Sequence, residues 1–561
     1  VSQALGSRPD AHPHRPDATL DAEGALSQVR GAHVLLVEDN DLNQEVATKL
    51  LADNGFIGEK ATVYYRFSNV GPRDNYVTDT TGSMNLGFEG TIATESVGDM
   101  QWNAGYMYSK TDNKENGTGY VLKSAAKQAI ADGKFVGGEF DAESTKTMTA
   151  DTSRRSTMDF YQWYAGVQWD MGELPAGPVS WYAGAEYNDW VYADKYDAQS
   201  EAGNIIGSAG NSSGGVRDVT AAYIESLVPI TEQIELNVAG RFDKYSDFGS
   251  AFSPKASLRY QPLDNLMLRT SWSRSFRAPS LSDLYSADSF SADWAKDYVY
   301  CEANGISAAD CPNRQYTTTR TSNEDLKEET ADTWNFGVAY SPVDDLNLSL
   351  DYYTIKIEDV IQLNSLQSLI YDELNSGSSS SITRNSQGKI GSAIAPMVNL
   401  GTLETSGLDL KVDYTYDLNY ATVRYDLGGT YILKYKEGLY AGGPVIDKIG
   451  QNGLPQMRFS SGVGINVPQW WNMDTYLSAN YIDSQSQDYI ANTGEEVGHI
   501  ASQTTWNLNV GVEAPWNGKI QVGVKNMFNV GPSLESDGFT YDDELYSIDG
   551  RIYYLDYSQK F

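Results

Sequence analysis

From about residue 59 onward, apolar side chains recur at every second position, and the gaps between these runs alternate short and long. In the stretch from Thr504 to Glu513, Trp506, Leu508, Val510 and Val512 point one way, while Asn507, Asn509, Gly511 and Glu513 point the other. Leu408, Leu410, Val412, Tyr414 and Tyr416 alternate in the same manner with Asp409, Lys411, Asp413 and Asp417. So do Ile234, Leu236, Val238 and Phe242 with Glu235, Asn237, Arg241 and Asp243. Two further runs are Trp163, Ala165, Val167, Trp169 and Trp181, Ala183, Ala185, Tyr187. Short gaps fall at about 93–99, 170–178, 229–232, 261–265, 341–345, 417–420, 468–471 and 515–518. Longer ones lie between them, at about 69–82, 110–155, 191–215, 244–251, 276–329, 358–399, 435–455, 483–503 and 527–549.

Eight short and nine long connectors join about 18 strands. A soluble β-sandwich also alternates, but it has no reason to alternate its connector lengths. A strand hairpin series that crosses a bilayer does, with short turns on the periplasmic side and long loops outside. The apolar runs also begin or end on Trp or Tyr, as an interfacial aromatic girdle requires. A bilayer core offers no water to unpaired backbone groups, so such a sheet must close. The expected fold is all-β, a transmembrane antiparallel β-barrel facing outer-membrane lipid.

Composition fits this reading and removes others. No run approaches 18 consecutive apolar residues, which excludes an ordinary transmembrane helix. The formal net charge of −34 excludes nucleic acid as a partner, because phosphate binding needs a basic surface. The acidity is placed in the long outer loops.

Several stretches resemble the barrel of TonB-dependent outer-membrane receptors. They are Ser253-Pro-Lys-Ala-Ser-Leu-Arg-Tyr260, Leu268-Arg-Thr-Ser-Trp-Ser-Arg-Ser-Phe-Arg-Ala-Pro-Ser-Leu-Ser-Asp-Leu-Tyr285, Glu324-Asp-Leu-Lys-Glu-Glu-Thr330, Glu404-Thr-Ser-Gly-Leu-Asp409 and Val524-Lys-Asn-Met-Phe-Asn529. The resemblance runs from about residue 59 to Phe561. It implies a receptor and transporter in the outer membrane of a Gram-negative bacterium, not an enzyme, taking up a scarce nutrient. Siderophore, oligosaccharide and peptide all remain open as ligands. Such receptors carry a plug and a TonB box ahead of a barrel of about 22 strands. Neither is legible here, and about four initial strands are unaccounted for on that count. A TonB complex is therefore expected as a partner only if the full-length protein supplies plug and box. A passive porin is the alternative.

The last strand resembles the segment that the barrel-assembly machinery recognises, with Tyr553, Leu555, Tyr557 and Phe561 on one face. Gln559 departs from the aromatic often found near that position.

Residues 1–30, rich in Pro, Ala, Asp and His, read as a flexible linker. Residues 31–57 resemble the opening strand and helix of a response-regulator receiver domain, a short α/β fragment. Val34 to Val37 is the strand, Leu42, Val46 and Leu50 follow at helical spacing, and Glu38 and Asp39 sit where that family holds Mg²⁺. The later strand with its phosphoacceptor does not follow, so a truncated fragment without signalling chemistry is expected. The domain plan is thus linker, fragment, and barrel over 58–561. The chain opens on Val1 and shows no Met before Met84, which suggests that an upstream segment is missing or replaced.

Cys301 and Cys311 are the only cysteines and share one long connector. Their spacing and the exported setting predict a disulfide bracing an outer loop, with a reactive thiol pair as the alternative. Asp112 to Gly117 lacks the ligands of a calcium loop, since Lys114 fills a ligand position. His12, His14, His33 and His499 form no metal-binding spacing, and no cofactor motif occurs. Arg274 and Arg277 could meet an anionic ligand or serve a structural role at a strand end. The tract from Ser376 to Ser381 is expected to be a flexible loop tip.

Overall fold

The computed structural model describes residues 67–94, 98–136, 139–207, 210–308, 310–438, 445–451, 453–487, 498–535 and 541–560. The linker, the receiver-like segment with Glu38 and Asp39, and Phe561 lie outside the described residues.

A single sheet holds 21 strands. Four of them, Ser289–Lys296, Asn313–Thr321, Ile382–Arg384 and Val445–Asp447, sit within long connectors; the other 17 follow one another along the chain. The first eight are β1 (Asp74–Thr94), β2 (Gly98–Val121), β3 (Thr149–Leu174), β4 (Gly177–Tyr196), β5 (Ser213–Thr231), β6 (Ile234–Tyr245), β7 (Ser250–Leu263) and β8 (Leu266–Arg277). Five more are β9 (Glu329–Val343), β10 (Leu346–Leu363), β11 (Ile390–Leu418), β12 (Ala421–Gly438) and β13 (Met457–Val467). The set ends with β14 (Met473–Ile482), β15 (Gln503–Glu513), β16 (Gly518–Lys525) and β17 (Ile552–Gln559). From β4 to β17 each strand pairs antiparallel with the next.

Seven of the eight short gaps read from the sequence join consecutive strands as turns; the first, at 93–99, falls partly outside the described residues. Two-residue turns at 232–233, 264–265, 344–345 and 419–420 join their strands directly. The long gaps are shorter than the sequence suggested, because the strands run on past the apolar stretch. β2 continues to Val121 and β3 begins at Thr149, although 110–155 reads as a loop. Arg155 bonds Asp112 at 2.7 and 3.0 Å, Asn113 bonds Asp79 at 2.5 Å, and Thr81 meets Thr111 at 3.2 Å. Polar cross-strand pairs carry the ladder where apolar alternation has stopped.

The sheet is greasy on one face and polar on the other, and its greasy face is uncovered. Trp163, Trp334, Leu410 and Val522 are 46%, 45%, 42% and 48% exposed. A stacked sandwich would bury these residues against a second layer. The buried apolar clusters are instead built largely from connector residues. Near the short turns the greasy face ends in aromatics: Trp169 stacks on Trp181 at 6.4 Å, and Trp471 meets Trp516 edge-on at 6.3 Å.

The polar face uses a repeated device. A glycine on a middle strand leaves a gap, and a long side chain from one neighbour crosses it to a hydrogen-bond partner on the other. Arg269 of β8 passes over Gly337 of β9 and bonds Asp351 of β10 at 2.8 and 2.6 Å. Tyr476 passes over Gly462 to both oxygens of Asp426, and Tyr554 passes over Gly523 to bond Asn509. A Cβ on Gly337 would fall 2.0 Å from Asp351 Oδ1 and 2.6 Å from Arg269 Nε.

The chain divides into two compact units. The sheet described from β5 onward belongs to the larger one. The smaller takes in residues 67–78, 114–154 and 196–210, with helices α1 (Lys123–Ala131), α2 (Ala142–Met148) and α3 (Ala198–Glu201). Its own core gathers Val121, Ala126, Ile130, Phe135, Phe140 and Met148. Asp141 and Asp197 cap α2 and α3 by accepting backbone N–H groups.

Replacing Gly337 with Val should displace the Arg269–Asp351 bridge and cost about 1–3 kcal/mol. The urea midpoint of the refolded protein in vesicles should fall accordingly. Ala substitution at exposed Leu410 should move it far less.

Candidate functional site

Two long connectors of the larger unit fold into ordered structure above the strand ends. The one between β8 and β9 carries α4 (Leu281–Tyr285), the strand Ser289–Lys296, α5 (Tyr298–Ala303) and the strand Asn313–Thr321. The one between β10 and β11 carries α6 (Leu366–Ser376) and the strand Ile382–Arg384. Ser280 and Asp283 form a reciprocal capping box on α4. Ser365 caps α6, and Gly377, at φ 81°, ends it in the left-handed region. The Gly-Ser tract that reads as a flexible tip thus begins as a helix stop.

These connectors share a core of Leu366, Leu369, Ile370, Ile382, Ile390 and Ala393. Each large aliphatic chain buried there contributes on the order of 1.5–3 kcal/mol. Thr318–Thr321 pairs in parallel with Ala393–Pro396, tying one connector to the start of β11. Arg384 clamps the two from inside. It donates to Asp297, the N-cap of α5, at 2.8 and 2.9 Å, and to Glu373 of α6 at 2.9 and 2.7 Å. Burial alone would lower the Arg384 pKa; hydrogen bonds to Glu373 and Asp297 outweigh it and raise the pKa above the ordinary value.

Cys301 of α5 and Cys311 are joined by a disulfide in this same connector. Arg274 bonds Asp332 at 3.2 and 2.7 Å, and Arg277 bonds Glu329, so both arginines are occupied at strand ends. Asp112, in the stretch first compared with a calcium loop, holds Arg155. His499 lies on a two-stranded ribbon opposite Ser486. Tyr553, Leu555 and Tyr557 lie on β17 with exposed side chains.

Sequence reasoning missed a cavity of about 720 Å³ on the polar face of the last strands. Its floor is formed by Thr430 of β12, Arg458 of β13, Asn480 of β14, Thr505 of β15 and Lys525 of β16. The connector between β16 and β17 covers it with Leu545, Ser547 and Asp549. That connector is rooted by Asn526 and Asn529, both left-handed at φ 48° and 56°. The Asn526 side chain donates to Val530 O and accepts from its N–H, and Asn529 Oδ1 accepts from Arg551 N–H. Lys525 and Asn526 lie inside a stretch already noted for its resemblance, and Arg458 has the polar parity of β13.

The family model described as TonB dependent receptor-like, beta-barrel matches residues 28–527. The chain belongs to that family. TonB-dependent receptors are transporters rather than enzymes. The match takes in residues 31–56, where the receiver resemblance was read. Among solved structures, the ferric enterobactin receptor PfeA of Pseudomonas aeruginosa is 15% identical, with a TM-score of 0.54 over 87% of this chain and 70% of that one. The siderophore receptor PirA from Acinetobacter baumannii is 14% identical, with a TM-score of 0.50 over 85% and 71%. The ferric-catecholate import receptor Fiu from K12 E. coli, in its closed form, is 14% identical, with a TM-score of 0.52 over 86% and 64%. At such identities the likeness is one of fold. None of the curated proteins matches the chain.

Arg384→Met in this TonB-dependent receptor barrel should leave Asp297 and Glu373 buried without their cation, at a cost of about 3–5 kcal/mol. Limited proteolysis should then cut within 278–328 and 364–389 while the strands resist; Arg384→Lys should restore part of the protection.

Proposed function

We propose that the chain is the barrel of a receptor in a Gram-negative outer membrane that takes up a scarce nutrient by TonB-energised transport. The observation that carries this reading is the uncovered greasy face of a sheet with short turns at one end and long, folded connectors at the other. Lipid is the solvent in which such a face is stable, and closure of the sheet would satisfy its edge groups. The family membership supports the receptor assignment over the porin alternative. The names of the structural neighbours favour a siderophore-type ligand over an oligosaccharide or a peptide.

In this reading residues 58–561 are the barrel, 31–57 a receiver-like fragment and 1–30 a linker. Tyr553, Leu555, Tyr557 and Phe561 present the terminal strand to the barrel-assembly machinery. The TonB complex engages through a plug and box of the full-length protein. The residues of the chain itself supply the outer-facing connectors and the polar wall along which a ligand passes.

Expression in a strain stripped of its own siderophore receptors tests this. Growth on a ferric siderophore should be gained with the full-length protein, plug and box included, and lost when the TonB complex is deleted. Growth that persists without the complex, with a large steady single-channel current, would make the chain a passive pore.

A further inference from the structure

On the greasy face of β7 to β11 the side chains leave a shallow groove of about 480 Å³. Its origin is one row across the sheet, in which Leu258, Thr270, Phe336, Tyr352 and Leu408 sit side by side on consecutive strands. Thr270 is the smallest of them and leaves the depression. Phe336 stacks on Tyr352 at 6.4 Å and walls it on one side. The groove lies close to the short turns: Leu268 in its lining is four residues past Asp264, and Leu350 is five past Asp345. At about 3.3 Å per residue this is roughly 13–17 Å along tilted strands, so the groove falls within one leaflet, about 15 Å deep. Four successive short turns bound this stretch, and they bring Glu232, Asp264, Asp344, Asp345 and Asp417 to its rim. No Lys or Arg occurs within 229–235, 261–267, 341–347 or 415–423. Glu232, Asp264, Asp344 and Asp345 are exposed and form no ion pair among the described residues.

We propose that this groove holds an acyl chain of a diacyl phospholipid whose primary ammonium headgroup meets the acidic turns. The proposal rests on the reading of the bare face as one that lipid covers. Apolar contact alone selects no lipid there, because every surrounding chain is as greasy as the groove. Selection comes from shape and from the headgroup. An unfilled depression forfeits dispersion contacts, and a chain laid along it recovers them. At the rim an ammonium donates charge-assisted hydrogen bonds to the carboxylates, while a headgroup of net negative charge is repelled.

The test folds the full chain into phosphatidylcholine vesicles carrying equal small fractions of phosphatidylethanolamine and phosphatidylglycerol. Lipid retained after extraction in mild detergent is then counted by native mass spectrometry. Phosphatidylethanolamine should be retained about fivefold over phosphatidylglycerol, and high salt during extraction should erase most of that preference. Asp264→Asn with Asp344→Asn and Asp345→Asn should bring the ratio near one while lipid is still held. Thr270→Phe, which fills the groove, should instead lower the retained total of both lipids. The salt response needs no variant and decides the matter if either variant misfolds. Equal retention by the wild type, a ratio indifferent to salt, or undiminished retention by Thr270→Phe would each overturn the proposal. A chain that enters the vesicles without lipid preference leaves the receptor reading standing; one that enters no vesicle sinks both.

Discussion

Everything in this fold follows from a sheet that hydrogen-bonds its backbone internally while leaving one face greasy and bare. Water would make that face a liability; lipid makes it the resting state. The consequence is an inside-out distribution of polarity. Ion pairs and tyrosine hydroxyls gather on the polar face, and large apolar side chains lie exposed on the other. Ordinary buried cores form largely in the connectors, where water is near.

Stability of the polar face then rests on fitted gaps more than on apolar packing. Gly337, Gly462 and Gly523 are absent side chains that let Arg269, Tyr476 and Tyr554 bind across three strands at once. Such a bridge fixes register, because a slip of one residue turns the crossing side chain to the other face. Glycine costs strand propensity at these positions, and the bridging hydrogen bonds offset it.

The sheet was legible in the sequence because its two faces meet solvents of different kind, which writes a period of two into residues such as Trp506, Leu508 and Val510. The turns were legible because the pattern stops there. The strand ends were not: the segment Lys110-Thr-Asp-Asn-Lys-Glu-Asn116 is polar on both parities, so only its cross-strand partners reveal a strand. The folded connectors were hidden for a related reason. Their short helices hold too few residues for a period to show, and Arg384 finds Asp297 across 87 positions of sequence. The cavity escaped notice because its lining comes from five strands and a distant connector, which no local spacing links.

The parallel pairing of Thr318–Thr321 with Ala393–Pro396 has a mechanical implication. Together with the Arg384 clamp it welds two long excursions of the chain into one stiff flap. Anything that displaced one of the two would have to displace the other with it. The connector between β16 and β17 is anchored elsewhere: Gln503 of β15 donates to Gly531 O at 2.7 Å, and Gln485 donates to the buried Tyr546 hydroxyl at 2.9 Å. The two sets of connectors are therefore held by separate bonds, and loosening one leaves the anchors of the other in place.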